Sequence, residues 1–436
     1  LLLGTNLFNY TFLESGMPHA YLFAGYALLL EYSARWHDRP TAPRTVVIGV
    51  IIGLMCLCRP SEGIALLLPL LYGVHDGEST RAKWQLIRRH WHYVLLLALT
   101  GIVIISPQVM YWRTTIGRWF FNGYAEHHFD WFSPHLWDGL FSYRKGWLLY
   151  TPLMVLALIG LIPLYRRQRA WFWPVAVYLV VNTYIVLSWH IWWYAGSFGM
   201  RALVQSYAVL SLPLAVLVAA ADRSWRRWPV YGILTACTLL NLFQTWQYHN
   251  RILLNDEMTA TYYRDAWGRT EFSNLSYQYI DVDERYPGPP PADPEIIAAE
   301  PCVSDTLVAG RPAETMPPDK EFGCTIALTL DAAQAGRLSG RWVSVYTEVL
   351  LQNDRFDQYR QARLALTADR AGEMLHYRAL RLESRRELNR WVPIRYETRL
   401  PELREGDVVK AYIWNTSPDR FFVSKMGLEL WPIGSN

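Results

Sequence analysis

Five cysteines in 436 residues exclude a disulfide-dense scaffold, and the Cys56-x-Cys58 spacing makes no metal motif. The chain carries no internal repeat. Its net charge of +4 is too small to call for a nucleic-acid partner. It has no recognisable signal peptide and does not begin with Met. The opening Leu1-Leu2-Leu3-Gly4 reads as the end of a hydrophobic segment, so an upstream portion is expected.

What is present is hydrophobic, and unevenly so. Apolar residues make up 52% of the chain, yet the mean hydropathy is near zero. The average mixes a membrane half with a polar tail. Apolar runs lie at 18–34, 45–58, 63–74, 93–112, 147–165, 171–189, 202–221 and 230–248. They predict about eight spans, each near the roughly 20 residues a bilayer core requires. The second and third are short and suit tilted or broken helices.

The connections between the runs alternate in kind. Arg35, Arg39 and Arg44, then Arg81, Lys83, Arg88 and Arg89, then Arg166, Arg167 and Arg169, then Arg223, Arg226 and Arg227 fall on one side. Cytoplasmic connections collect Lys and Arg, so that side is assigned to the cytoplasm. The other connections, and everything after Tyr248, then face outward. This predicts a multi-pass protein of a bacterial inner membrane with a periplasmic tail.

The tail changes period. Tyr286-Pro287-Gly288-Pro289-Pro290-Pro291 sustains neither helix nor sheet. Beyond it, 325–330, 342–351, 362–367, 374–382, 392–400, 408–415 and 422–431 read as strands of period two. The expected organisation is a polytopic domain over 1–250, a linker or crossing over 251–321, and an all-β sandwich, jelly-roll-like, over 322–436. Cys302 and Cys324 lie in the oxidising compartment and a disulfide between them is predicted. Cys56, Cys58 and Cys237 are apolar filler in the spans. Trp342, Tyr346, Trp391, Tyr412 and Trp414 are read either as a sugar platform or as core.

The outward connections hold the candidate site. Glu14 and His19 stand at the mouth of a span, as a solvated helix end or as a carboxylate and imidazole lining a cleft. Arg59 and Glu62 share a tight turn, either interfacial or lining a cavity. The long connection from Arg113 to Gly146 is too aromatic for disorder. It carries Glu126, His127, Arg144 and Lys145. Adjacent histidines do not share one ion, so a metal cluster there is disfavoured. Two cations at a span mouth suit a phosphate, pyrophosphate or lipid headgroup. The last connection holds Trp193, small residues that let a backbone approach a ligand, and Arg201 at the start of a span, an anion site. A sugar, a phosphate and a long apolar tail together match this cleft, as in polyprenyl-phosphate sugars.

At Thr5-Asn6-Leu7-Phe8-Asn9-Tyr10, Gly16-Met17-Pro18-His19, Arg59-Pro60, the 126–130 and 140–152 stretches, and the 192–201 stretch ending in Arg201, the chain resembles a known family. It is similar to bacterial membrane glycosyltransferases of the GT-C type, the protein O-mannosyltransferase and aminoarabinose-transferase group. The resemblance covers roughly residues 1–250. It implies an inverting transferase that moves a sugar from a polyprenyl-phosphate donor to a glycan, lipid or protein acceptor. A carboxylate acts as base and cations stabilise the departing phosphate. The family's main acidic residues lie upstream of Leu1, so this chain alone is expected to be inactive. Glu14 is the acidic candidate that remains, with Arg59, Lys145 and Arg201 as phosphate partners. No cofactor is called for, and a divalent cation is left open. The competing readings are a transporter of lipid-linked sugars, for which inverted repeats and charged mid-span residues are missing, and a non-catalytic glycan-binding assembly protein of the cell envelope.

Overall fold

The computed structural model describes residues 1–436 apart from 122, 124–126, 222–224, 226, 272–277, 283, 285, 303–306, 354–360, 383–386 and 433–436. Expectations placed on Glu126, Arg223 and Arg226 therefore lie outside the described residues. The chain forms two units, Leu1–Asp256 and Glu257–Asn436.

The first unit is helical. A π-helical turn at Asn9–Leu13 precedes α1 (His19–Asp38) and α2 (Ala42–Cys58). A 3₁₀ segment at Pro60–Leu66 leads into α3 (Leu67–Leu71), α4 (Gly77–Arg89) and α5 (Trp91–Thr115). Then come α6 (Leu136–Phe141), α7 (Trp147–Tyr150), α8 (Leu153–Ile159), α9 (Leu161–Arg167) and α10 (Arg169–Leu187). Beyond a 3₁₀ segment at Arg201–Ser206 lie α11 (Tyr207–Ala221) and α12 (Arg227–His249).

All eight apolar runs fall largely on helix, but three are broken. The 63–74 run is split between 3₁₀ segment and α3. The 147–165 run is divided among α7, α8 and α9, where Pro152 caps α8 and brings no amide donor to continue α7. The 202–221 run begins as 3₁₀ turn. Among the described residues, three helical stretches are long and apolar enough to cross a membrane: Trp91–Thr115, Arg169–Leu187 and Arg201–Ala221. Ala42–Cys58 and Pro60–Leu71 are apolar but shorter.

Helix α5 makes the physical case for a lipid surrounding. It runs 25 residues, about 37 Å at 1.5 Å per residue, and none of its most apolar window is buried. An apolar surface of that extent is not stable in water. One side of α5 meets α2 closely. A Cβ at Gly49 would stand 2.8 Å from Thr100 Cβ, and one at Gly53 would stand 2.9 Å from Ile104 Cβ. Two glycines four apart thus set this helix contact. Helix α4, like α5, has no buried residue, but its sequence is polar. Asp76 caps it reciprocally with Ser79, and Arg88 and Arg89 complement its C-terminal dipole.

The second unit is a β-sandwich with short helices. In chain order it contains α13 (Ala260–Ala266), α14 (Gln278–Asp281), β1 (Glu295–Pro301), β2 (Leu307–Val308), β3 (Arg311–Pro312), β4 (Glu314–Met316) and β5 (Phe322–Thr329). Then come α15 (Ala332–Leu338), β6 (Trp342–Leu351), β7 (Arg363–Arg370), β8 (Glu373–Arg381), β9 (Trp391–Arg399), β10 (Val408–Trp414) and β11 (Phe421–Leu430). One antiparallel sheet has the order β1-β11-β6-β9, with β4 also on β11, and the other has β5-β10-β7-β8. Val343, Val345 and Val349 from one sheet meet Leu364, Leu366, Val409 and Ile413 from the other in one core. The alternation along β6 therefore faces the way its sequence predicts.

Two expectations change here. The 251–321 stretch, read as a linker, supplies α13, α14 and β1, and β1 pairs with β11 from Glu295↔Leu430 to Pro301↔Lys425. The five aromatics of the sugar platform do not share a face. Trp342, Tyr346 and Trp391 belong to the sheet of β6 and β9, while Tyr412 and Trp414 belong to that of β10. Each set alternates away from the common core, so the two sets point to opposite sides. Cys302 and Cys324 form a disulfide closing a 22-residue separation.

Candidate functional site

The resemblance motifs pack on one another within the helical unit. The Tyr10 hydroxyl donates to Phe198 O at 3.0 Å and accepts from Phe198 N–H at 2.9 Å. Asn6 Nδ2 donates to the same carbonyl at 3.0 Å, and Asn6 Oδ1 accepts from the Tyr207 hydroxyl at 2.8 Å. Trp147 Nε1 donates to that tyrosine at 3.2 Å. Gly199 holds a φ of +60°, and a Cβ there would stand 3.0 Å from Tyr150 Cβ. Gly199 thus serves packing first.

Four of the expected residues stand in or beside one buried row. Arg59 approaches His19 Nε2 at 3.4 Å, and His19 Nδ1 lies 3.5 Å from Gln205 Oε1. Gln205 Nε2 donates to Glu62 Oε1 at 3.0 Å, and the Tyr26 hydroxyl donates to Glu62 Oε2 at 2.5 Å. His19 and Glu62 are both buried. The charge of Arg201 also acts on His19. Glu62 is therefore enclosed by the helices, where a carboxylate survives only because two donors satisfy it. A solvated interfacial turn does not describe it.

A second group gathers around Lys145. Its side chain is 1% exposed, and Nζ donates to the carbonyls of Ser197 and Asn255. Burial pushes this ammonium down to about 7. Asp256 and Glu14 pull it back up, whereas Arg201 and Arg144 lower it further. Lys145, expected beside a phosphate, is occupied with the backbone. Arg144 Nε pairs with Asp256 at 2.9 Å, and its guanidinium lies 3.9 Å from the Trp193 ring centre. Glu14 accepts from the Tyr248 hydroxyl at 2.9 Å.

Arg201 acts on both groups through its charge. Its NH1 approaches Met17 Sδ at 3.8 Å, and its Nε is buried with no hydrogen-bond partner among the described residues. A guanidinium stays charged, and an unmet buried donor costs roughly 1–3 kcal/mol. It does not open a long α-helix, since residues 201–206 are a 3₁₀ segment.

His127 joins a cluster built from the two aromatic connections. His127 Nδ1 lies 3.2 Å from His190 Nε2, His128 stacks on His190 at 4.4 Å, and Asp130 receives both His128 and His135 at 3.2 Å. His135, Trp192 and Trp193 continue this wall toward Arg144. Among the described residues, the grouping whose donors stand close enough to share a metal ion is Cys302, Glu314 and Cys324. Its two thiols are consumed by the disulfide. That set does not fit a divalent cation.

Gln205, Tyr248, Asn255 and Asp256 do not stand out in the sequence as site residues. Gln205 had a signal, four residues beyond Arg201 at helix-like spacing. The others had none, because they are ordinary polar residues until the fold brings them to a charge.

No family model matches the chain, and no curated protein matches it. Among solved structures, the chain is similar to arabinosyltransferase EmbB from Mycobacterium smegmatis at 10% identity, over 95% of this chain and 52% of that one, with a TM-score of 0.32. It is also similar to a family 35 carbohydrate binding module from an environmental isolate, at 10% identity over 33% of this chain and 92% of that one (TM-score 0.19). A third likeness is to the EclA C-terminal domain, a sugar-binding protein, at 14% identity over 28% and 81% (TM-score 0.18). Likenesses this distant say nothing of activity.

Proposed function

We propose that the helical unit belongs to a membrane glycosyltransferase that takes its sugar from a polyprenyl-phosphate donor. One observation carries the reading. Arg201 is a half-buried cation whose Nε is buried without a hydrogen-bond partner among the described residues, and its charge acts on His19 and Lys145, which the charges of Arg59 and Glu14 also reach. An anion delivered to Arg201 would satisfy that donor. The exposed apolar surface of α5 supports a lipid-embedded protein, and so a ligand with an apolar tail.

In this reading the acceptor hydroxyl attacks the anomeric carbon. The bond from that carbon to the phosphate oxygen breaks, and the electron pair leaves with the polyprenyl phosphate. Arg201 and Arg59 take the growing negative charge, and cationic groups already in position need no reorganisation to do so. Glu14 is the carboxylate this chain offers to receive the acceptor's proton, with Tyr248 fixing its orientation. Lys145 and Arg144 are positioning residues: Lys145 holds the Ser197 and Asn255 carbonyls, and Arg144 holds the Asp256 carboxylate and the Trp193 ring. His127 and Trp193 contribute to an aromatic wall suited to a sugar ring. We assign the protein to a bacterial inner membrane, with catalysis on the periplasmic face and a glycan, lipid or protein as acceptor.

The test is transfer of labelled sugar from a panel of polyprenyl-phosphate donors by the full-length protein in nanodiscs. Arg201→Ala is expected to lower turnover by about 100-fold or more, the scale for losing one oriented charge donor. Unchanged turnover in that variant sinks the proposal.

A further inference from the structure

The β unit holds a cavity of about 520 Å³. Its wall is Asp281 at the end of α14, Glu284, Arg363 on β7, and Tyr377, Arg378 and Ala379 on β8. This volume lies within the roughly 300–1,000 Å³ usual for small-molecule sites. β8 is the outer strand of its sheet, so no further strand covers that side.

The two carboxylates of the wall are already employed. Glu284 accepts from Arg378 at 2.7 Å, from the Thr398 hydroxyl, and from Arg399 N–H at 2.9 Å. Burial alone would raise this carboxyl, yet these partners hold it below the usual range. Asp281 accepts from Arg381 N–H at 3.0 Å and pairs with the Arg381 guanidinium at 2.9 Å.

Two donors of the wall are not employed. The Arg363 guanidinium lies 5.5 Å from the Trp414 ring centre. Its charge is felt by Asp281, but its N–H groups have no hydrogen-bond or ion-pair partner among the described residues. The Tyr377 hydroxyl is buried without a partner among them. Unmet donors beside satisfied carboxylates select a guest rich in acceptors. A guanidinium fork matches a planar carboxylate with two parallel hydrogen bonds, which a neutral hydroxyl cannot offer. Asp281, which among the described residues accepts from Arg381 alone, retains lone pairs for a hydroxyl group of the same guest.

We propose that this cavity binds an acidic sugar unit, a hydroxylated ring bearing a carboxylate, with Arg363 and Tyr377 receiving the acid group. The site is independent of the transferase reading and stands or falls without it.

The experiment titrates the full chain in detergent with glucuronate, glucose and inorganic phosphate, followed by calorimetry. Glucuronate is expected to saturate, with glucose weaker by about tenfold or more and phosphate failing to compete at equal concentration. Arg363→Gln is expected to weaken glucuronate by about tenfold, and Tyr377→Phe by about threefold, with melting temperatures unchanged. Should Arg363→Gln melt early, Tyr377→Phe decides, because it removes only a hydroxyl. Absence of saturation, equal binding of glucose, displacement by phosphate, or glucuronate affinity untouched in the deciding variant would each overturn the proposal.

Discussion

Replacing Lys145 with Met tests the buried ammonium directly. The ammonium titrates near 7 in the folded chain and near 10.4 when unfolded. Between those values the unfolded chain binds the proton and the folded chain does not. Stability therefore rises with pH across that window, and it is flat below about 7, where both states are charged. At about 1.4 kcal/mol per unit, the folded chain should gain about 3 kcal/mol between pH 7 and roughly pH 9.5. Lys145→Met loses this titration. It also strips the Ser197 and Asn255 carbonyls of a donor, at about 1–3 kcal/mol each, opposed by relief of the buried charge. The net effect at one pH is thus a difference of comparable quantities, whereas the slope is not. The assay is denaturant unfolding of wild type and variant in one detergent across this pH range. A stability difference that stays constant with pH would refute the assignment.

Three further substitutions probe separate parts of the molecule. Arg144→Gln keeps a hydrogen-bonding side chain but removes the charge over Trp193. It should weaken donor affinity more than it slows turnover, read as KM against kcat. Cys302→Ser removes a cross-link over 22 residues and should destabilise the β unit by about 3 kcal/mol, measured by its unfolding transition under non-reducing conditions. Gly53→Leu drives a side chain into Ile104 and should separate α2 from α5, which loss of a cross-link between cysteines engineered on those two helices would report.

Much of the fold was written in local pattern. Val343, Val345 and Val349 alternate, and β6 begins and ends where that alternation does. Strand β1 escaped because Glu295-Ile296-Ile297-Ala298-Ala299-Glu300-Pro301 does not alternate and is only half-buried at its centre. The breaks near Pro152 and Gly160 escaped because an apolar run reads the same whether its helix is whole or segmented. The charges of the site were legible as lone ions among aromatics. Their employment was not. Lys145 finds Asn255 across 110 residues, and Glu14 finds Tyr248 across 234. No short-range pattern reports such meetings. Glu62 reads equally as an interfacial turn or as a cavity lining, because Tyr26 and Gln205, which enclose it, lie far along the chain.

β11 comes latest of the strands along the chain, yet it lies between β1 and β6. During synthesis β1 and the inner edge of β6 must wait for residues 421–430 to leave the ribosome. Until then the nascent domain exposes two unclosed strand edges, the kind that recruit other chains. Its assembly therefore favours rapid arrival of that last strand, or a chaperone that covers the two edges until it comes.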